Sequence, residues 1–510
     1  MATEVDRPTG HPSDLVHGEQ HLNKTLGFGS ALVIGLASTA PAYSFAAVIG
    51  LIAAATGFQS PAVVIVSFVP VLLVATAYYY MNRIDPDPGT TFAWATRALG
   101  PVTGWLAGWA IFTAGVIVIG LLAQTAAVYG YYLVGADSLA DSKTAQMVGA
   151  VIVMVVMSAI TVIGIGASAK TQNALIVFQV GGLLIFGIVM LVRAYAGDGP
   201  QGSVDPQLSW FNPFAIDGQS ALIAGVLITL FAYWGWDSAV TVNEESEDSR
   251  GAPGRAAVVA TVILVGLYLL LMVASLAWLG AEGLSAFEDE TAFNDIANQV
   301  LGSPLDKIVI FAVFTSALAG TQTTVLPASR TALSMGRHRA APGAMASVHP
   351  RYLTPAVATY VVSASAILFY VLIRLFSEDF YTAAIGALGL LICVNYGLNG
   401  LACAVFYRRQ ALHSVKSLVL LVAAPLLGAA IFIYVFARSF RDLTIGGLED
   451  TTYWLGWQAP LVLTLGLFVV AAGLMIAVRS SFGRSFFARR LETAEENTVP
   501  PADRRTEAVR

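Results

Sequence analysis

The sequence predicts an all-α membrane protein of twelve transmembrane helices, with helices 1 and 6 interrupted. Three observations carry that prediction. The 510 residues are 56% hydrophobic and only 12% charged, a balance that excludes an ordinary soluble globular chain. Apolar stretches of about twenty residues, the length needed to cross a bilayer, recur along nearly the whole chain. One of them contains Phe231-Ala-Tyr-Trp-Gly-Trp-Asp237, a poor continuous helix that ends in a carboxylate. In hydrocarbon each broken helical bond must find another partner, and a charge is costly. Such a segment persists where an interrupted helix lines a polar cavity near the midplane.

Residues 1–26 form a polar cytoplasmic tail with no basic-then-apolar leader, so no cleaved signal peptide is expected. Five spans fill residues 27–196: Gly27 to Thr56, Ser60 to Met81, Val102 to Val134, Gln146 to Gly166 and Asn173 to Val192. Residues 197–218, rich in Gly, Pro and Asp, form an extracellular loop and the natural break between two halves. Five more spans fill residues 219–410: Gln219 to Val242, Ala256 to Leu279, Ile308 to Leu333, Ala356 to Leu375 and Phe380 to Tyr407. Within this half, Ala281 to Asp306 reads as a second outer loop, acidic and partly helical. Spans 11 and 12, Leu418 to Ala437 and Trp454 to Val478, lie in residues 411–480. The tail 481–510 alternates charges, carries two prolines and is expected to be disordered beyond its first turn.

Basic residues set the orientation. With both termini cytoplasmic, all but six of the 27 Lys and Arg fall inside; Lys143, Arg193, Lys307, Arg374, Arg438 and Arg441 fall outside. That asymmetry also supports an even span count and a place in the cell membrane. Cys393 and Cys403 share one apolar span, which excludes a disulfide framework and a thiolate metal site. His11, His17, His21, His338, His349 and His413 sit in tails or cytoplasmic loops, so no haem, metal or histidine relay assembles inside the membrane. The chain has no phosphate-binding glycine loop, nucleophile–base pair or nucleic-acid face. No cofactor and no enzymatic chemistry are expected.

The two halves carry matching interruptions. Span 1 contains Ser38-Thr39-Ala40-Pro41-Ala42-Tyr43 at the position that Phe231 to Asp237 occupies in span 6. Five spans separate the starts, so spans 1–5 and 6–10 read as repeats of opposite orientation around a central site. Pro41 cannot donate a backbone bond and disfavours helix at Ala40, yet it is tolerated as the first residue of a new helix. Ser38 or Thr39 could cap that helix, leaving the Ala42 and Tyr43 amides to favour an anion such as a carboxylate. The alternative is a proline kink with the hydroxyls bonded back to their own helix; the paired break in span 6 weighs against it.

These segments carry a family resemblance. After the Ala-Pro break come Pro88-Gly89-Thr90-Thr91-Phe92-Ala93-Trp94-Ala95-Thr96-Arg97-Ala98-Leu99-Gly100-Pro101, then Gly104-Trp105 and Gly108-Trp109. Phe231 to Asp237 is followed by Asn243-Glu244-Glu245 and Pro253-Gly254-Arg255-Ala256. Pro327-Ala-Ser-Arg-Thr-Ala-Leu-Ser-Met-Gly-Arg337 precedes Pro342, His349-Pro350 and Thr354-Pro355. In this order, over about residues 25 to 410, they resemble the amino acid–polyamine–organocation permeases. The resemblance implies a leucine-transporter-like fold of five plus five inverted spans with two added C-terminal spans, and alternating access with the solute between spans 1, 3, 6 and 8.

It further implies that the span 1 break holds a substrate carboxylate on amides, at Ser38, Thr39, Ala40 and Ala42. Carbonyls of the same span 1 positions and of Ala232, Tyr233 and Trp234 in span 6 would hold the amino group. Phe231 matches an aromatic that closes over the solute from outside; ordinary packing is the competing reading of a single aromatic. Many members have glycines in the span 1 break, where Ser-Thr-Ala-Pro adds bulk and removes a donor.

Asp237 stands open between two main roles, with recognition of a cationic side chain a third. In hydrocarbon its neutral form is favoured, so it could load and release a proton during transport, as a proton-responsive acid does in some antiporters of the family. Equally, it could accept bonds from freed amides throughout. Glu244 and Glu245 read as a solvated face or as gate partners of Arg330 and Arg337, which otherwise serve as interfacial anchors. Proton-coupled members often carry a lysine in span 5; Gln179 takes its place here, and glutamine exchanges no proton. In span 8 the Gly320 carbonyl with the Thr323 and Thr324 hydroxyls lies on one helix face. With carbonyls near Ile34 to Ala37 they resemble a sodium site of the wider fold, unless the threonines bond back to their own helix.

The reading that follows is a secondary active transporter of amino acids, coupled to a proton or sodium. Within the fold, a polyamine importer or an amine exchanger competes. Asp237 is the one acid placed in the pocket, which favours substrates that bring a carboxylate. A channel or a membrane enzyme subunit would instead need non-saturating flux or clustered ligating residues in the membrane.

Overall fold

The computed structural model describes residues 24–163, 169–287, 290–377, 380–445 and 453–488, so the expectations for the tails fall almost wholly outside it. Twelve of the described segments are long and apolar enough to cross a membrane. Among the described residues the helices are joined by turns and irregular loops, with one short antiparallel ribbon, Tyr453–Trp454 with Trp457–Gln458.

Span 1 runs as Phe28–Thr39, Pro41–Ala46 and Ile49–Thr56, and Gly57 ends it before span 2, Ser60–Ile84. Spans 3 to 5 are Pro101–Leu133, Lys143–Ile163 and Ala169–Tyr195. Span 6 is Gln219–Tyr233 and Ser238–Thr241; spans 7 to 10 are Ala252–Ser285, Asp306–Arg337, Ala356–Phe376 and Phe380–Phe406. Spans 11 and 12 are Val415–Thr444 and Ala459–Ser480. Several helices outrun their apolar runs: span 8 begins at Asp306 and ends at Arg337, because hydropathy marks the hydrocarbon-crossing part while backbone bonding continues through polar ends. Span 6 falls short in the other direction, its second piece being a single turn rather than a helix to Val242. Helix Thr91–Leu99, read from sequence as loop, lies between spans 2 and 3, and helix Ala292–Leu301 lies in the loop before span 8.

Both expected breaks are present. Ala40 adopts a left-handed conformation (φ 49°, ψ 63°), its amide bonded at 3.1 Å to the Leu36 and Ala37 carbonyls, and Pro41 starts the next helix. A non-glycine residue pays about 1–2 kcal/mol for that conformation, so packing must hold it. In span 6, Trp234 is extended (ψ 141°) and Gly235 takes φ +117°. The two breaks touch. A Cβ on Gly235 would lie 2.7 Å from the Ser38 carbonyl carbon and oxygen and 2.8 Å from the Thr39 nitrogen. Span 8 closes on the same place, since a Cβ on Gly320 would lie 2.7 Å from that of Ala40. Spans 3 and 6 are buried over most of their length, whereas spans 4, 5 and 12 turn apolar faces outward.

Gly235→Ala is therefore expected to cost about 3 kcal/mol or more through clash and strained backbone. Gly266→Ala in span 7, where a Cβ meets nothing within 4 Å, should be neutral or stabilising. Thermal unfolding in detergent separates the two; equal melting curves would mean that the breaks do not touch.

Candidate functional site: the opposed helix breaks

Span 1 brings Ser38 and Thr39 to the break by helical register, and both lie buried just before Pro41 starts the next helix. The Ser38 and Ser238 hydroxyls are 2.7 Å apart, tying one break to the other. Thr39 Oγ1 donates to the Gly35 carbonyl at 2.9 Å, and the Ser44 hydroxyl donates to the Thr39 carbonyl. No side chain caps the Pro41 helix, which corrects the capping expected of Ser38 or Thr39: one hydroxyl is engaged across the break and the other in its own helix. The Tyr43 amide meets Ser316 Oγ of span 8 at 3.5 Å, so it shares its donor with a hydroxyl the sequence reading did not include. Ala40 and Ala42 are wholly buried beside them.

Across the break, the Ala232 carbonyl accepts from the Tyr268 hydroxyl at 2.8 Å, leaving one lone pair. The Tyr233 side chain turns away, its hydroxyl donating to the Val64 carbonyl at 3.2 Å. Trp234 is buried, and its amide donates to the Phe231 carbonyl at 3.1 Å. The Phe231 ring lies edge-on to Tyr43, with centroids 6.1 Å apart.

Asp237 is buried and points between spans 2 and 10. Tyr396 donates to its Oδ1 at 3.2 Å and Tyr78 to its Oδ2 at 3.4 Å. The amides of Gly235 and Asp237, freed by the break, also face this carboxyl, as expected, and the two tyrosine hydroxyls are partners that the sequence reading did not include. In span 8, Thr323 Oγ1 donates to the Ala319 carbonyl at 2.8 Å and lies 3.4 Å from the Gly320 carbonyl. Thr324 Oγ1 and both carboxamide atoms of Gln179 are buried without a protein partner. The expected oxygen array is therefore divided, Thr323 serving its own helix and Thr324 left open. Among the described residues no group of His, Cys, Asp and Glu is placed to hold a metal ion.

The two ends of the bundle close differently. At one, Arg330 forms a buried two-point pair with Glu245, at 2.7 and 3.2 Å, and Arg337 pairs with Glu244 at 2.8 Å. Burial pushes the Glu244 carboxyl above its ordinary range, and the Arg337 guanidinium pulls it back. The Thr25 and Leu26 amides donate to the Glu245 carbonyl at 3.0 Å, so the segment before span 1 is strapped to the end of span 6. At the other end Glu290, buried, accepts from Gln124 Nε2 at 2.9 Å, and Tyr370 donates to Gln124 Oε1 at 3.0 Å. The buried Tyr43 and Tyr381 hydroxyls lie beside each other, Thr125 next to the latter, within electrostatic reach of Glu290. The sequence reading missed Glu290 because it enters from a loop; the acidity of that loop was its one signal.

Comparison with known proteins adds to this geometry. The family model described as amino acid permease matches residues 26–486. An uncharacterized transporter of Mycobacterium tuberculosis (strain H37Rv) is 30% identical over 355 residues, covering 67% of this chain and 72% of its own. The low-affinity putrescine importer PlaP of Escherichia coli (strain K12) is 23% identical over 350 residues, 68% of this chain and 74% of its own. The branched-chain amino acid permease BcaP of Lactococcus lactis is 24% identical over 364 residues, 68% and 76% respectively.

Removing one member of the buried pair leaves an uncompensated charge. Glu245→Gln should cost about 3–5 kcal/mol, against about 0–1 kcal/mol for Arg337→Gln at the half-exposed pair. Melting curves test the contrast; equal losses would place Arg330 in water.

Proposed function

We propose that this chain, which belongs to the amino acid permease family, is an ion-coupled secondary active transporter that carries amino acids across the cell membrane by alternating access. Family membership makes it a transporter and not an enzyme; the substrate and mechanism are our reading. The observation that carries it is the buried contact of the span 1 and span 6 breaks at Ser38 and Gly235. There the amides after Pro41 would take a carboxylate, and the Tyr233 and Trp234 carbonyls, with the lone pair left on Ala232, an amino group. Phe231 against Tyr43 would close the site on the Glu290 side. The Glu245–Arg330 and Glu244–Arg337 pairs would close the other, on the cytoplasmic face if the basic loops lie inside. Spans 1–5 and 6–10 would then be the two inverted repeats. A polyamine importer or exchanger is the second reading; the putrescine importer among the relatives and the buried Glu290 favour it.

Coupling would run through Asp237, whose two tyrosine donors can hold either protonation state, or through sodium near Gly320, Thr323, Thr324 and Gln179. Uptake by purified protein in liposomes, competed by amino acids and putrescine with sodium and pH gradients imposed separately, tests the proposal. Saturable flux with counterflow is expected; non-saturating flux would overturn it. Asp237→Asn should abolish accumulation driven by pH while sparing exchange, and undiminished driven uptake would remove the aspartate from coupling. Thr323→Ala with Thr324→Ala should weaken transport in sodium alone; an equal loss in its absence would exclude a cation site there.

A further inference from the structure

We propose that Glu290 receives a second, distal cation on the transported solute, and so selects dibasic amino acids or diamines over neutral amino acids. The proposal rests on the solute sitting at the helix breaks and names the group that such a solute carries at its far end.

Glu290 stands just before helix Ala292–Leu301, outside the spans, yet span 3 holds it buried in the bundle at two points. Gln124 Nε2 donates to its Oε1 at 2.9 Å, and the Tyr129 hydroxyl donates to its carbonyl at 2.7 Å. Tyr370 of span 9 donates in turn to Gln124 Oε1 at 3.0 Å, which fixes that amide with its nitrogen toward the carboxylate. The protein therefore sets where this charge lies. The Tyr43 side chain runs from the span 1 break toward it: Tyr43 follows the Ala40 turn by three residues, and its hydroxyl is within electrostatic reach of Glu290. A lysine or ornithine side chain, or the chain of a diamine, has a length similar to that of the tyrosine.

Closing this end does not by itself call for a charge, since a glutamine at 290 could accept the same bond from Gln124. In a setting of low dielectric the carboxylate acts strongly on any cation within reach. Arg374 of span 9, which also acts on Tyr370, donates to Gln146 of span 4 at 2.8 Å. Asp237 lies past the span 6 break, toward Glu245, and is engaged by Tyr78 and Tyr396. The two acids thus stand at opposite ends of the site.

Uptake by the purified full chain in liposomes tests the assignment, with labelled lysine and leucine compared as kcat/KM and putrescine as competitor. Lysine should be preferred to leucine. Glu290→Gln should lower that preference about tenfold, as for loss of one charge-assisted bond. Glu290→Asp keeps the charge and should retain most of the preference; its loss there in a folded chain would assign the effect to the bond with Gln124 and overturn the proposal. A latching role alone would reduce lysine and leucine uptake in step and leave their ratio unchanged, which would also overturn it. So would a wild-type chain that takes leucine but neither lysine nor putrescine, a result that leaves the central site standing. Competition by putrescine as well as lysine would extend the class to diamines; lysine without putrescine would restrict it to amino acids. Saturable uptake of none of the three would remove the central site itself, and this role of Glu290 with it.

Discussion

Two interrupted helices meet where Gly235 lies against the main chain of Ser38, with the Ser38 and Ser238 hydroxyls joined at 2.7 Å. In a membrane every broken backbone bond must be repaired within the protein, and here neighbouring hydroxyls do so: Ser44 at the Thr39 carbonyl, Ser316 at the Tyr43 amide and Tyr268 at the Ala232 carbonyl. Only glycine fits at position 235, because the conformation has positive φ and the Ser38 carbonyl occupies the space of a side chain. Ala40, strained in its left-handed turn, is held between that contact and span 8 at Gly320. A polar centre thereby survives inside an apolar bundle, and polar main-chain groups there are what a solute with a carboxylate and an amine can use.

Chemistry at the two ends differs in kind. The Glu245 end is closed by ion pairs and a main-chain strap, with Arg330 taken almost entirely from solvent. Such a pair adds little net stability but is expensive to half-break, a property suited to an element with two discrete arrangements. The Glu290 end is closed by aromatic rings and by hydrogen bonds that pass through Gln124. Opening it would trade packing and the hydrogen bonds that meet at Gln124.

Much of this was legible in the sequence, for local reasons. Twelve spans followed from runs of apolar residues, and both breaks from residues whose backbone chemistry is their own: Pro41, and Gly235 beside Asp237. The partners of those breaks were not legible. Asp237 also accepts from Tyr78 and Tyr396, each 159 residues away in sequence, and no spacing rule links them. Ser316 reaches Tyr43 from span 8, and Leu26 pairs with Ser246 without any strand pattern at either place. Thr39 bonds back one turn instead of capping forward, a choice between two local partners that the tertiary structure makes. Glu290 arrives on a loop whose sequence promised only acidity.

The contact between the breaks can be measured directly by joining them. In a chain with Cys393 and Cys403 replaced by alanine, Ser38→Cys with Ser238→Cys puts two thiols where the hydroxyls are hydrogen-bonded across 200 residues of sequence. Mild oxidation of the folded protein should link the two peptides in a single disulfide, found by mass spectrometry without reductant. Two thiols that stay free in a protein that melts like its parent would mean that spans 1 and 6 are not opposed, and the site described here would not exist.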